Sequence, residues 1–151
     1  EMPIDPHSPY SASKASSEIF TRLLSTTYDI PSVYIRSFNV FGEGQSNRML
    51  IPEVIIGCLK NEDIQLTKGE QTRESNYVGD ISRGIVEAGI RKEAVGEIIN
   101  LGSGDELTVK QLVIKIKNLT QSSSNLQELF LVLFDLFCFG FLSDLLHVLV
   151  V

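Results

Sequence analysis

Helical and extended patterns alternate along the first 120 residues, and this alternation most constrains the fold. Apolar residues recur at helical spacing over 11–28, where Ser8 is placed as a cap and Pro9 in the first turn. Residues 33–38 then form a β-branched and aromatic run that predicts a buried strand. The alternation continues with a helix at 50–59, a strand at 64–67, an extended piece at 77–78, a helix from a cap at Asp80 to about 91, a strand at 97–101, and a helix from the capping box Thr108/Gln111 to about 119. The pattern predicts an α/β fold with a largely parallel sheet and flanking helices.

Charge and hydropathy exclude two classes of protein and divide the chain in two. The 151 residues carry 13 basic and 19 acidic side chains, a net charge of -6, and 43% of them are hydrophobic. This balance argues against a basic nucleic-acid-binding protein and against a disordered chain. All lysines and arginines lie between Lys14 and Lys117. We therefore expect one domain over 1–120, followed by a polar linker and an apolar tail over 121–151.

The tail from 126 to 151 consists mostly of Leu, Phe and Val. It is long enough to cross the hydrocarbon core of a bilayer, which takes a helix of about 20 residues. However, Asp135 and Asp144 interrupt it and no basic anchor flanks it. Three interpretations stay open: a membrane-inserted helix, an apolar segment packed on a core or partner, and sequence from a shifted reading frame. The abrupt change in composition favours the last, so membrane contact through this tail is not favoured.

Neither the cysteines nor the histidines form a recognisable site. Cys58 and Cys138 have no Cys or His at a metal-ligand spacing, so we expect reduced, packed thiols, with no metal site and no disulfide framework. His7 and His147 have no partner that would make them catalytic. Residues 1–14 are polar and contain prolines where a secretory signal needs an apolar stretch, which predicts a cytoplasmic protein.

Tyr10 and Lys14 are the first candidates for chemistry. They stand four residues apart at the start of the first predicted helix, so both project from one face about one turn apart. An ammonium beside a phenol favours the phenolate, which makes tyrosine a usable general acid or base near neutral pH. Taken alone, the pair is a weak signal, and an ordinary helix start is the favoured interpretation.

Four segments in order give this pair a context. Residues 8–18, which read SPYSASKASSE, resemble the active-site segment of the extended short-chain dehydrogenase/reductase family, the nucleotide-sugar epimerases and dehydratases with a Tyr-x-x-x-Lys motif. Residues 36–42, RSFNVFG, resemble the strand and loop after the family's catalytic helix. Residues 71–80, QTRESNYVGD, resemble its substrate-clamping segment, and 100–104, NLGSG, its next strand end. The sequence around Tyr10 most resembles that of the dTDP-glucose 4,6-dehydratases.

The resemblance implies a role for each matched residue. Tyr10 would exchange a proton with the sugar hydroxyl while hydride passes to bound NAD, and Lys14 would hold the nicotinamide ribose, so both would contact the cofactor. Asn39 would contact the nucleotide-sugar substrate, and Arg73 would pair with its diphosphate. Family members often dimerise through the helix that carries the tyrosine and lysine, so a homodimer is an expectation here.

The sequence departs from the family in several places. No Gly-x-Gly-x-x-Gly motif occurs, so we expect a partial Rossmann-type sheet that lacks the N-terminal dinucleotide-binding half. We therefore expect no catalytic turnover from this chain alone. Gly102-x-Gly104 is interpreted as a turn, because the third glycine is missing and Glu106 would face any phosphate. Glu74 and Ser75 replace the usual Asp and aromatic residue after the clamp arginine.

Two functional hypotheses follow. In the first, residues 1–120 are the C-terminal portion of an NAD-dependent nucleotide-sugar epimerase/dehydratase domain. In the second, the chain is a non-catalytic nucleotide-sugar-binding or interaction fragment whose apolar tail seeks a membrane or a partner. The sequence leaves open the sugar, the base, and whether the reaction is epimerisation, dehydration or decarboxylation. Of the remaining residues, Arg36 is expected to be a buried ion-pair or hydrogen-bond partner and not a substrate ligand, Tyr77 to pack, and Asp80 to cap a helix.

Overall fold

The computed structural model describes residues 4–128 and 147–150, and over these residues the predicted α/β class is confirmed. Helices and strands alternate through most of the chain, as the hydrophobic patterns indicate. The elements are α1 (Pro9–Tyr28), β1 (Ser32–Ser37), β2 (Asn39–Phe41), α2 (Leu50–Lys60), β3 (Ile64–Leu66), β4 (Thr72–Tyr77), α3 (Val78–Ile90), a 3-10 turn (Lys92–Ala94), β5 (Ile98–Leu101), β6 (Glu106–Thr108), α4 (Val109–Leu119), β7 (Leu126–Glu128) and β8 (His147–Val150).

The described strands form three small sheets, where the sequence predicts one largely parallel sheet. Their orders are β5-β1-β8, β2-β4-β6 and β3-β7. Each sheet contains one parallel pair, namely β1 with β5, β2 with β4, and β3 with β7. Strands β8 and β6 add antiparallel partners to β1 and β4. The parallel pairs follow from helical connections, since parallel neighbours need a crossover between them.

The predicted helix caps are confirmed at two of three positions. The Ser8 and Thr108 side chains each accept the backbone N–H of the residue three positions on, and Ser11 and Gln111 complete the reciprocal bonds. The prediction that Asp80 caps a helix is wrong, because α3 already begins at Val78. Asp80 lies in the first turn, where its charge suits the helix dipole, and its carboxylate pairs with Arg83.

The apolar tail lies mostly outside the described residues. Leu126 begins β7, which pairs with β3, and it packs against the core cluster beneath that strand. Residues 129–146 and 151, including Cys138, are outside the described part, so the three interpretations of the tail stay predictions. Over the described residues, the structure contains no helix of the length and hydropathy that crossing a bilayer requires.

Two clusters of buried side chains form the core. The larger lies between α2, β3 and α4, and the smaller lies beneath β1 and α3. Cys58 is 1% exposed within the larger cluster, which confirms the prediction that its side chain is packed. The larger cluster contains Val54, Cys58, Ile64, Leu66, Val109, Val113 and Ile116, and the smaller contains Val33, Ile35, Ala88 and Ala94.

Helix α1 is attached to the body by polar contacts. Its one buried residue is Glu18. Arg36 of β1 donates two hydrogen bonds to the Glu18 carboxylate, from Nε at 2.8 Å and from Nη2 at 2.6 Å, which confirms the predicted ion pair. The buried Tyr34 hydroxyl donates to the Lys14 carbonyl at 3.1 Å. Large apolar side chains of α1 stay exposed, namely Ile19, Phe20, Leu23, Leu24 and Tyr28.

Glu18→Ala tests whether this ion pair holds the helix. The Glu18 side chain is 6% exposed and that of Arg36 is 34% exposed, so removing the carboxylate takes two charge-assisted hydrogen bonds from a half-buried guanidinium. We expect the free energy of unfolding, measured by urea titration, to fall by about 2–3 kcal/mol, below the range for fully buried pairs. The control Glu87→Ala breaks the exposed pair with Arg91 and should change it by less than about 0.5 kcal/mol. Equal effects of the two substitutions would contradict this account of α1.

Candidate functional site

Asn39 and Arg73 lie on one face of the β2–β4 pair. In the parallel register Asn39 is opposite Ser75, and Arg73 precedes Ser75 by two positions. Side chains two apart on a strand share a face, so Arg73 and Ser75 point to the side of Asn39. The tilted ring contact between Phe41 and Tyr77, with centroids 6.0 Å apart, lies on the same face. The structure therefore brings the two predicted substrate residues together, about 7 Å apart along the strand direction.

The Arg73 side chain is available to an anion. It is exposed, and its Nη1 donates to the Thr72 carbonyl at 3.0 Å. Among residues 4–128, no carboxylate oxygen lies within the 4.0 Å of an ion pair with it. A guanidinium presents several N–H donors in a planar fork that matches phosphate oxygens. Arg73 can therefore bind a diphosphate without breaking an ion pair of the described chain.

Tyr10 and Lys14 meet as the helical spacing predicts. Both side chains are half-buried, and Lys14 Nζ lies 5.5 Å from the centroid of the Tyr10 ring. A cation at this distance is attracted by the face of the aromatic ring. The Tyr34 hydroxyl fixes the backbone of the same turn by bonding the Lys14 carbonyl. The pair is therefore preorganised on a helix turn that is itself held in place.

The contacts of α1 set the level of Tyr10 relative to Asn39. Helix α1 and β1 are joined by residues 29–31, so they run antiparallel. Glu18 lies about 15 Å before the helix end and Arg36 about 13 Å into the strand, which explains why they pair. Tyr10 lies about 12 Å before Glu18 along the helix, at the end of α1 that is far from the 29–31 connection. Asn39 follows the carboxyl end of β1 by two residues, and that end of the strands is where ligands bind in open α/β sheets.

Burial is the main cause of the raised pKa of Tyr34. Removal of the hydroxyl from water raises the pKa of Tyr34 above its usual value, and the nearby Glu18 carboxylate raises it further. A hydrogen bond with Ser17 and the charge of Arg36 lower it by smaller amounts. Tyr34 therefore stays protonated, and keeps its bond to Lys14, throughout the neutral range.

Tyr77 has a polar partner that the sequence does not indicate. The sequence predicts only packing, but the side chain is 42% exposed and its hydroxyl donates to Glu43 Oε2 at 2.9 Å. This hydrogen bond raises the pKa of Tyr77. The pKa of the Glu43 carboxyl is lowered, first by a backbone hydrogen bond and then by the bond from Tyr77. The contact closes the loop after β2 over the end of β4.

The turn at Gly102-Ser103-Gly104 does not offer a phosphate cradle. The Ser103 N–H donates to Asn76 Oδ1 at 2.8 Å, and the Gly104 N–H donates to Glu74 Oε1 at 3.1 Å. Both amides are thus engaged by side chains of β4, and a carboxylate lies in the position that an anion would need. The structure agrees with its interpretation as a turn, although the repelling carboxylate is Glu74 and not the expected Glu106.

NAD fits the described residues in part. The adjacent phenol and ammonium of Tyr10 and Lys14 suit the nicotinamide-ribose end of the cofactor, which needs donors near a proton-transfer group. The turn at 102–104, occupied by Glu74, does not suit the pyrophosphate. Within the described ranges, the structure groups no three His, Cys, Asp or Glu side chains that could hold a metal ion.

The comparison with protein families decides the relationship. The profile of the "NAD dependent epimerase/dehydratase family" matches residues 1–102, two thirds of the chain. The chain belongs to this family. The resemblance read from residues 8–18 is thereby confirmed, together with the family-level association with NAD and nucleotide sugars.

Relatives in this family include dehydratases. The chain is 34% identical over 115 residues to dTDP-glucose 4,6-dehydratase 1 of Escherichia coli K12, covering 76% of this chain and 32% of that protein. It is 34% identical over 115 residues to the low-salt glycan biosynthesis protein Agl12 of Haloferax volcanii, covering 76% and 37%. The chain thus spans about a third of the length of the curated relatives that it matches.

Solved structures of the family share the fold. The dTDP-glucose 4,6-dehydratase of Bacillus anthracis, solved in complex with NAD, superposes with a TM-score of 0.76 at 30% identity, covering 85% of this chain and 42% of that one. The epimerase Mth375 of Methanothermobacter thermautotrophicus gives a TM-score of 0.76 at 35% identity, covering 84% and 39%. These neighbours confirm the predicted α/β fold as a partial match to the Rossmann-type enzymes of the family.

Tyr34→Phe tests the bond that fixes the Lys14 turn. The pKa of Tyr34 is raised on folding, so its contribution to stability is complete below the unfolded pKa of about 10 and is lost as pH rises through the folded value. We expect the substitution to lower the free energy of unfolding by about 1 kcal/mol at pH 7. It should also weaken the fall in stability above pH 10, as measured by urea titration at a series of pH values. An unchanged alkaline slope in the variant would be evidence against this bond.

Proposed function

We propose that this chain carries the proton-transfer pair and part of the substrate site of an NAD-dependent nucleotide-sugar epimerase or dehydratase. The supporting observation is the placement of the Tyr10–Lys14 pair at the same end of β1 as the face that holds Asn39 and Arg73. In this proposal one extended ligand lies between the general acid–base and the anion-binding cation.

Tyr10 acts in this proposal as the group that moves the proton. Its phenolate accepts the proton of a sugar hydroxyl, and loss of hydride from the carbon that bears the hydroxyl completes the oxidation to a ketone. When bound, NAD supplies the hydride acceptor for this chemistry. Lys14 stabilises the phenolate and donates to the nicotinamide ribose, so both residues contact cofactor as well as the reacting centre.

Asn39 and Arg73 hold the substrate. Arg73 pairs with the diphosphate of the nucleotide sugar through two N–H donors, and Asn39 hydrogen-bonds the sugar-nucleotide on the same face. The B. anthracis relative was solved with NAD, and a UDP-glucuronic acid 4-epimerase of Bacillus cereus, 28% identical, was solved with UDP-glucuronic acid and NAD.

The proposal extends to the organisation of the chain. Residues 1–120 form the catalytic-domain portion, and 121–151 a linker and tail. A homodimer through α1 is supported by its exposed apolar side chains, among them Phe20, Leu23 and Leu24. The cytoplasmic location stays a prediction from the sequence. Because the described residues hold no pyrophosphate cradle, we expect binding without turnover from this chain alone, which is also what the non-catalytic hypothesis predicts.

Arg73→Ala tests the substrate site directly. Isothermal titration with dTDP-glucose should give a saturable Kd for the unaltered chain, and the substitution should raise it at least about tenfold by removing the charge-assisted bonds to the diphosphate. Arg73→Lys should fall between the two because it keeps the charge without the fork. The control Arg91→Ala removes an exposed arginine that directly follows α3 and should leave Kd within about twofold. Equal Kd values for Arg73→Ala and the unaltered chain would refute this role.

A further inference from the structure

Strand β4 buries two polar side chains on the face opposite Arg73. Glu74 is 9% exposed and Asn76 is 5% exposed, whereas Arg73 is exposed and Ser75 only half-buried. Burying a polar or charged group is unfavourable unless hydrogen bonds replace its water. The two residues are therefore expected to have partners that matter to the structure around them.

Both side chains bind the same turn. Asn76 Oδ1 accepts the Ser103 N–H at 2.8 Å, and Glu74 Oε1 accepts the Gly104 N–H at 3.1 Å. The Ser103 hydroxyl lies 3.5 Å from the same carboxylate oxygen. A Cβ at Gly102 would overlap the Glu74 carboxylate, so the turn and the carboxylate fit closely. Residues 102–104, which connect β5 to β6, are thus docked onto the back of β4.

The same cluster reaches the substrate face. Asn76 Nδ2 donates to the Asn39 carbonyl at 3.4 Å, which adds a side-chain bond to the short β2–β4 ladder beside the residue proposed to contact substrate. Glu74 directly follows Arg73, so a shift of the Glu74 backbone moves the arginine with it. One set of hydrogen bonds therefore connects the turn at 102–104, the backbone of Asn39 and the strand segment that carries Arg73.

The Glu74 carboxylate is an unusual choice for a merely structural tie. Within residues 4–128, no Lys, Arg or His nitrogen lies within the 4.0 Å of an ion pair with it. Its charge is met by the Gly104 amide and the more distant Ser103 hydroxyl alone. A buried carboxylate held only by neutral donors binds them strongly, because bonds to a charged acceptor are about twice as strong as neutral ones. Such a bond restrains the turn tightly.

We propose that Glu74 and Asn76 are positioning residues of the nucleotide-sugar site, which hold Asn39 and Arg73 in place by fastening the 102–104 turn to the back of β4. This inference rests on the proposed function, since it assigns the two residues to the same substrate site. Neither side chain contacts the ligand, because both lie on the opposite face of the strand.

The test combines binding with hydrogen exchange on the full chain. Glu74→Ala should raise the Kd for dTDP-glucose at least tenfold and speed exchange of the Gly104 amide by a similar factor, while Arg73 itself is intact. Glu74→Gln keeps an acceptor oxygen in the same place but loses the charge, so both values should fall between those of the unaltered chain and those of Glu74→Ala. Gly102→Ala, which displaces the carboxylate without altering its charge, should reproduce the loss. Asn76→Asp keeps the acceptor for Ser103 but loses the donor to Asn39, so it should raise Kd without releasing the Ser103 amide.

The control and the contradicting results are distinct. Glu106→Ala removes the exposed glutamate opposite Glu74 in the β4–β6 register, and it should leave Kd and exchange unchanged. A normal Kd in both Glu74→Ala and Gly102→Ala would overturn the positioning role while leaving the proposed function intact. Loss of binding in Glu74→Gln with a protected Gly104 amide would also overturn it, since the acceptor would then not be the cause. No dTDP-glucose binding by the unaltered chain would overturn the proposed function, and this role with it.

Discussion

The arrangement of the site depends on the ion pair between Glu18 and Arg36. Helix α1 has no other buried residue and leaves its large apolar side chains exposed, so polar contacts set its position against β1. The ion pair holds the Glu18 turn of α1 against Arg36 of β1. The Tyr34 hydroxyl holds the helix turn that contains Lys14 through its carbonyl. A rigid helix then places Tyr10 at the carboxyl end of β1, because each residue advances about 1.5 Å.

The second constraint is the short parallel pairing of β2 with β4. Three residue pairs define its register, which is enough to place Asn39 and Arg73 on one face and Glu74 and Asn76 on the other. A shift by one residue would exchange the faces and bury Arg73. Side-chain bonds from Asn76 and the docked turn at 102–104 support this register where backbone bonds are few. The proposed site is therefore supported by side chains on the opposite face of β4.

The sequence predicts the positions of the helices better than the positions of the strands. Regular apolar spacing and the reciprocal caps at Ser8 and Thr108 are local signals, so α1 and α4 begin within a residue of their predicted starts. Strand β4 reads TRESNY, whose polar residues give no strand pattern, and only its pairing with β2 and β6 makes it a strand. The resemblance to the family identifies Tyr10, Lys14, Asn39 and Arg73 as candidate site residues. It does not identify Glu74 as a buried group, because nothing near Glu74 in the sequence predicts its hydrogen-bond partner 30 residues later.

We propose that the N-terminal end of α1, with Tyr10, and the β2–β4 face form one ligand site. A titration of the isotope-labelled chain with dTDP-glucose, followed by amide resonances, tests it most directly. We expect the amides of Tyr10, Asn39 and Arg73 to shift together and saturate with one Kd, because one extended ligand would contact both regions. Shifts confined to one region, or to the shallow groove lined by Ser25, Asp29 and Val95, would contradict it.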